Sequence, residues 1–159
     1  VADSVVPGLT VLEHMVLDGR PAPRNGLGVD WRAVAIRTEQ LDQRVGLHIA
    51  AQGRRLGSLS GGNIQRVLLT RELGRDATLV VAAYPSRGLD IANTRRTQEV
   101  LLEHRERGAA VMVVSEDLDE LLALSDRIAV MHDGHVVGVV DAATADRMSL
   151  GRLMLGGAA

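Results

Sequence analysis

Apolar positions along this chain change their spacing several times, and each change marks an element. Val11 to Leu17 predicts a short helix, with Thr10 placed to cap it, Glu13 in its first turn and Asp18-Gly19 to end it. Residues 20–29 hold two prolines and two glycines, which predicts a loop without regular structure. Asp30 then caps a helix that places Val34, Leu41 and Val45 on one face and stops at Gly46. Residues 47–58 read as a connecting loop with scattered basic residues. A further amphipathic helix, Ile64 to Leu73, puts Ile64, Val67 and Leu68 along its apolar stripe.

Beyond Gly74 the period shortens. Thr78–Ala83 and Ala109–Val114 are compact apolar runs suited to buried parallel strands, and Ile91–Arg107 between them is a helix closed by Gly108. Asp117, with Glu120 three residues on, has the form of a capping box for a helix over Leu118–Leu124. Arg127–Met131 and His135–Val140 are strands joined at Asp133-Gly134, a strong hairpin signal. A last helix is expected from Ala143 to Leu155, ended by Gly156-Gly157. Strand–helix–strand order behind a run of helices argues an α/β sheet preceded by a small helical lobe.

Composition narrows the partners. The 159 residues carry 18 basic and 20 acidic side chains, a net charge of −2, so nothing points to nucleic acid. Every basic side chain is arginine. There is no cysteine, hence no disulfide framework and no thiolate zinc site. With one Trp, one Tyr and no Phe, stacking platforms for bases are nearly lacking. No apolar run approaches the length of a membrane span, and no signal peptide is expected. The chain opens on Val, which suggests a piece of a longer protein.

The candidate chemistry centres on Leu59-Ser60-Gly61-Gly62-Asn63. Ser60 is a good helix cap, and Gly61 and Gly62 let a ligand come close to unpaired first-turn amides at the positive end of the helix dipole. That arrangement suits an anion, phosphate best of all. Two glycines in a first turn cost roughly 1 kcal/mol each against Ala, more than a simple helix start requires. Taken alone the pentapeptide also fits an ordinary glycine-containing loop.

The downstream segments change that balance. A strand ends in Pro85, then come Ser86-Arg87-Gly88-Leu89-Asp90, the apolar run Ala110–Val114, and Ser115-Glu116-Asp117. This order resembles the signature, Walker B, D-loop and H-loop segments of ABC-type ATPases, from about Gly8 to Gly156. It looks most like the second ATP-binding half of the tandem proteins that power importers of simple sugars and nucleosides. The fold the resemblance implies is an α/β, P-loop NTPase-like core lacking its N-terminal strands and phosphate loop. Residues 1–75 would be the helical, signature-bearing subdomain, and 76–159 the distal α/β core with its C-terminal helix.

The resemblance also shows what is missing. No Gly-x-x-x-x-Gly-Lys phosphate loop occurs, and there is no lysine to complete one. Where active family members end the Walker B strand in Asp-Glu, this chain has Ala83 and Tyr84. Ala has no oxygen for a metal, and a phenol is a poor general base at neutral pH. Glu116 stands where active halves carry a histidine facing the γ-phosphate. A carboxylate about 4 Å from a phosphate charge costs roughly 4 kcal/mol at an effective dielectric of 20. No catalytic residue is therefore expected in this chain, and none of its residues is expected to ligate metal. His132 and His135, flanking the hairpin turn, and the acids Asp117, Asp119 and Glu120 read as solvated or capping residues.

An intact signature beside a dead site fits the family's composite arrangement, in which a signature acts on ATP held by the other domain. On that reading Ser60, Gly61, Gly62 and Asn63, with the D-loop Gly88, Leu89 and Asp90, face ATP and Mg²⁺ held mainly by a partner nucleotide-binding half. The isolated chain is expected to bind neither. Implied partners are that half, membrane permease subunits and, indirectly, an extracytoplasmic substrate-binding protein, at the cytoplasmic face of the membrane. The alternative is a non-catalytic scaffold that holds the dimer and docks the permease. A sheet strand stripped of a neighbour also predicts self-association of the isolated chain.

Overall fold

The computed structural model describes residues 5–156, so the Gly157 of the expected helix stop lies outside the described residues. The chain divides into two compact units, Val1–Thr78 with Pro85–Ala110 and Leu79–Tyr84 with Val111–Ala159.

The first unit is helical. Its opening helix, α1 (Val11–His14), is capped by Thr10, whose hydroxyl accepts from Glu13 N while Glu13 returns a carboxylate oxygen to Thr10 N at 2.7 Å. It ends at His14, not at Leu17, because the His14 ring is buried against the Val6 backbone and the chain turns there. The stretch read as a plain loop contains a hairpin of two-residue strands, β1 (Arg24–Asn25) and β2 (Gly28–Val29), reversed through Gly26 at φ +62°. The prolines lie before β1, so neither removes a hydrogen bond from the pair.

Helix α2 (Trp31–Val45) starts on the Asp30 carboxylate and stops at Gly46, left-handed at φ +72°. The following connection is more ordered than its composition suggests. Leu47 and Leu56 are fully buried, and Leu56–Ser58 form a 3-10 turn.

Helix α3 (Gly61–Leu73) begins on Ser60 and is buried on more than the expected stripe: Gln65, Val67, Leu69, Thr70 and Leu73 are all inside. Leu68 and Ile64 are only partly buried, because α2 and the later helix α4 (Ile91–Glu106) both pack on α3. One core groups Val11, Met15, Leu56 and Val67, with Leu41, Ile49 and Ile64 against it. Arg96 of α4 closes over the end of α2, donating to the carbonyls of Val45 at 2.7 Å and Arg44 at 3.2 Å.

In the second unit β3 (Leu79–Ala83) pairs with β4 (Ala110–Val114). Tyr84 N donates to Val114 O at 2.7 Å where both strands end, which fits parallel strands. These were expected to be buried, yet alternate side chains are open, Val81 at 62% and Met112 at 57% exposure. Among the described residues each has only the other as a strand neighbour.

Helix α5 (Leu118–Leu124) is capped by Asp117, which accepts from Asp119 N and Glu120 N. The capping box does not close. Glu120 turns inward instead, 2% exposed, with neither carboxylate oxygen hydrogen-bonded.

Strands β5 (Arg127–His132) and β6 (His135–Asp141) form the expected antiparallel hairpin, with Asp133 and Gly134 at positive φ in the turn. The last helix, α6 (Arg147–Met154), begins later than expected. Asp141 first holds residues 143–145 in a turn, and Asp146, boxed with Ser149, is the stronger cap. Ile128, Val130, Leu150 and Leu153 make this unit's core.

Candidate functional site

In the first unit, a surface cleft of about 390 Å³ is lined by Ser60, Gly62, Asn63 and Arg66 from the start of α3 and by Gly88, Leu89, Asp90 and Asn93 from the start of α4. Two helix N-termini thus open on one polar space, with their partial positive charges toward it.

Ser60 is extended at φ −67° and ψ 157°, as a cap must be, and its Oγ accepts from Asn63 N at 3.4 Å and Asn63 Nδ2 at 2.8 Å. The Asn63 amide oxygen accepts from Arg66. Arg66 is held in turn by the carbonyls of Leu47 at 3.1 Å and His48 at 2.9 Å. Gly61 is exposed beside the cleft, and a Cβ there would meet nothing within 4 Å. Gly62 is different: a Cβ would lie 2.7 Å from the Gly88 carbonyl oxygen, so the start of α3 can touch the turn before α4 only with glycine at 62.

That turn is built by Leu89 N donating to Ser86 O at 3.1 Å, with Gly88 left-handed at φ +78°. Its first carbonyl, Pro85 O, accepts from the buried Gln65 amide of α3 at 3.2 Å. Asp90 caps α4. Its oxygens take Asn93 N at 2.9 Å and Asn93 Nδ2 at 2.7 Å, and these bonds, then those from Ala92 and the charge of Arg66, hold its carboxyl below the usual range. Asp90 is therefore an ionised cap with its acceptors engaged, a poor metal ligand as it stands.

Of the residues singled out from sequence, Ser60, Gly62, Asn63, Gly88, Leu89 and Asp90 come together here, with Gly61 adjacent. Arg66 and Asn93 were missed. Each lies three residues past a named residue on a helix, and that spacing alone was the available signal. Gln65 was missed because an amide on an apolar helix face gives no hint of its partner.

The positions read as degenerate lie in the second unit. Ala83 ends β3, and Tyr84 follows in a left-handed conformation, φ +52°. Glu116 is exposed after β4, next to Asp117 N, which is held by Ser115 Oγ at 3.1 Å. Among the described residues no group of three or more His, Asp or Glu could hold a metal ion, and no helix is long and apolar enough to cross a membrane.

No protein-family model matches the chain. Among curated proteins it is 35% identical over 158 residues to the nucleoside import ATP-binding protein NupA of Lactococcus lactis subsp. cremoris, an alignment taking in 98% of this chain and 31% of that protein. It is 46% identical over 154 residues to the glucose import ATP-binding protein TsgD13 of Haloferax volcanii, 94% of this chain and 28% of that one. The chain thus spans about a third of the length of the curated relatives it matches. Among solved structures it superimposes on the dimeric bacterial ABC transporter cassette MJ0796 with a TM-score of 0.71 at 24% identity, covering 87% of this chain and 59% of that one. Its relatives in sequence are sugar and nucleoside import ATP-binding proteins, and its fold is that of an ABC ATPase cassette, matched over 59% of such a chain.

Proposed function

We propose that this chain is part of the second ATP-binding half of a sugar or nucleoside importer and lends its signature to an ATP site completed by a partner half. The observation that carries this is the cleft, where the Ser60 hydroxyl and the bare helix start at Gly62, with Gly61 beside it, gather above the Arg66 cation with no catalytic acid or base among them. These groups fit a phosphate. They supply hydrogen bonds and positive potential to charge developing during transfer, the part of such catalysis that needs no base. With both Asp90 oxygens engaged, Mg²⁺ falls to the partner half. The importer names of the relatives and the dimeric state of MJ0796 support the reading. Coupling to a membrane permease, through the helical lobe over roughly residues 9–45, is part of the same proposal.

The test is steady-state ATP hydrolysis by the full-length protein. Ser60→Arg and Gly62→Asp are expected to reduce turnover by about 10²–10³, the loss that follows removal of one oxyanion donor. Unchanged turnover in both variants overturns the composite site and leaves a scaffold role.

A further inference from the structure

The polar network beneath the cleft has a direction. Arginine donates and never accepts, so the Asn63 side-chain atom facing Arg66 must be its carbonyl oxygen. The NH₂ end is then committed to Ser60 Oγ, 2.8 Å away. Asn63 N–H also points at Oγ, at 3.4 Å. A hydroxyl has two acceptor lone pairs and one proton. With both lone pairs of Ser60 occupied from the helix side, only its proton is left to offer, and Ser60 is exposed on the cleft.

We propose that Arg66 is a positioning residue which, by fixing the Asn63 amide, turns the Ser60 hydroxyl into a committed donor for an acceptor-only phosphate oxygen. The inference rests on the proposed composite site and adds a cause for the hydroxyl's direction. Arg66 can serve in this way because two carbonyls, Leu47 O and His48 O, hold its guanidinium from below. The group contacts no phosphate itself. It sets the polarity of the residue that does.

Asn63→Asp separates this role from a merely structural one. The carboxylate keeps the Arg66 pair and leaves the backbone cap in place, but its second oxygen can only accept, so it takes the Ser60 proton inward. In the full-length protein, Asn63→Asp is expected to lower kcat about as far as Ser60→Ala, on the order of 10²-fold to 10³-fold, with its melting temperature close to that of the parent. The double variant is expected to be no worse than either single, because both act through one hydroxyl. Asn63→Ala, which breaks the Arg66 pair but lets the hydroxyl rotate freely, is expected to be the milder of the two.

The outcomes are distinct. If Ser60→Ala leaves turnover unchanged, the composite site itself fails. If Ser60→Ala is damaging while Asn63→Asp is silent, the site stands and the relay is wrong. Losses that multiply in the double variant also overturn the relay, since the new charge then acts on phosphate directly. Should Asn63→Asp fold poorly, Asn63→Ala and Arg66→Met decide: full kcat in both overturns the proposal, and a lowered kcat at unchanged KM in both supports it.

Discussion

Ser60, Gly62 and Asn63 present hydrogen-bond donors and bare backbone, whereas Ala83, Tyr84 and Glu116 present a methyl, a phenol and an exposed acid. The first set is tightly specified. Gly62 approaches the Gly88 carbonyl too closely for any side chain, and Asn63 is gripped at both ends of its amide. In the second set, Glu116 is solvent-facing at its strand end. Neighbouring contacts, and not residue type alone, thus separate the tightly specified positions from the open ones.

The two sets are expected to respond very differently to substitution. Gly62→Ala adds one carbon, 2.7 Å from a backbone oxygen, and must push the turn at Gly88 from α3. Turnover of the full-length protein is expected to fall by at least about 10-fold, since small misplacements of positioned groups are costly. Tyr84→Ala and Glu116→Ala, larger deletions, are expected to stay within about threefold, because the proposed function gives neither group a part as base or phosphate ligand. If Tyr84→Ala abolishes turnover while Gly62→Ala spares it, the roles are reversed.

A second comparison sets the buried faces of α3 against the open face of β3 and β4. Leu79, Val81, Met112 and Val114 are all exposed, and β3 has one strand neighbour among the described residues. Apolar strand surface of this kind invites pairing with another chain. The isolated 159-residue chain is expected to self-associate in sedimentation at micromolar concentration, and Val81→Lys with Met112→Lys to shift it toward monomer. A compact parent monomer at high micromolar concentration argues against this.

Local chemistry was legible in the sequence, and long-range packing was not. Thr10, Asp30, Ser60 and Asp117 all cap the helices that their side chains announce, because a cap is decided within four residues. Gly46 and the Asp133-Gly134 turn were readable for the same reason. The buried set on α3 was not, since Gln65, Leu69 and Thr70 are inside only because other helices cover them. Nor was the open face of β3 and β4, whose apolar sequence specifies a core whether or not a cover is present. In the cleft, Ser60, Gly62, Asn63, Gly88, Leu89 and Asp90 were legible one by one. That Arg66 ties the start of α3 to the loop after Gly46 was not, because its partners are backbone carbonyls, which no sequence pattern marks.

The smallest expected effect lies away from the cleft, in a histidine that contrasts with the exposed acids. His14 is fully buried, and that burial lowers its proton affinity below the ordinary value near 6.5. The Arg71 guanidinium, 3.4 Å from Nδ1, acts in the same direction, while the Val6 backbone and Glu13 oppose it. Nε2 lies 3.0 Å from Val6 N and 3.2 Å from Val6 O, so it accepts from the first or donates to the second, and the donation to the carbonyl is what opposes the effect of burial. As pH falls through about 6.5 the unfolded chain takes up this proton before the folded one does, so stability is undiminished above that pH and declines below it. The lowered carboxyls of Glu13, Asp90 and Asp146 have the opposite partners, hydrogen-bond donors, and their contribution is lost only at more acidic pH, as each is protonated in the folded state. Between about pH 7.5 and 5.5 the parent melting temperature is therefore expected to drop by a few degrees more than that of His14→Gln, which has no ring to protonate. Parallel melting curves of the two proteins across that interval would show that buried His14 is not the group responsible.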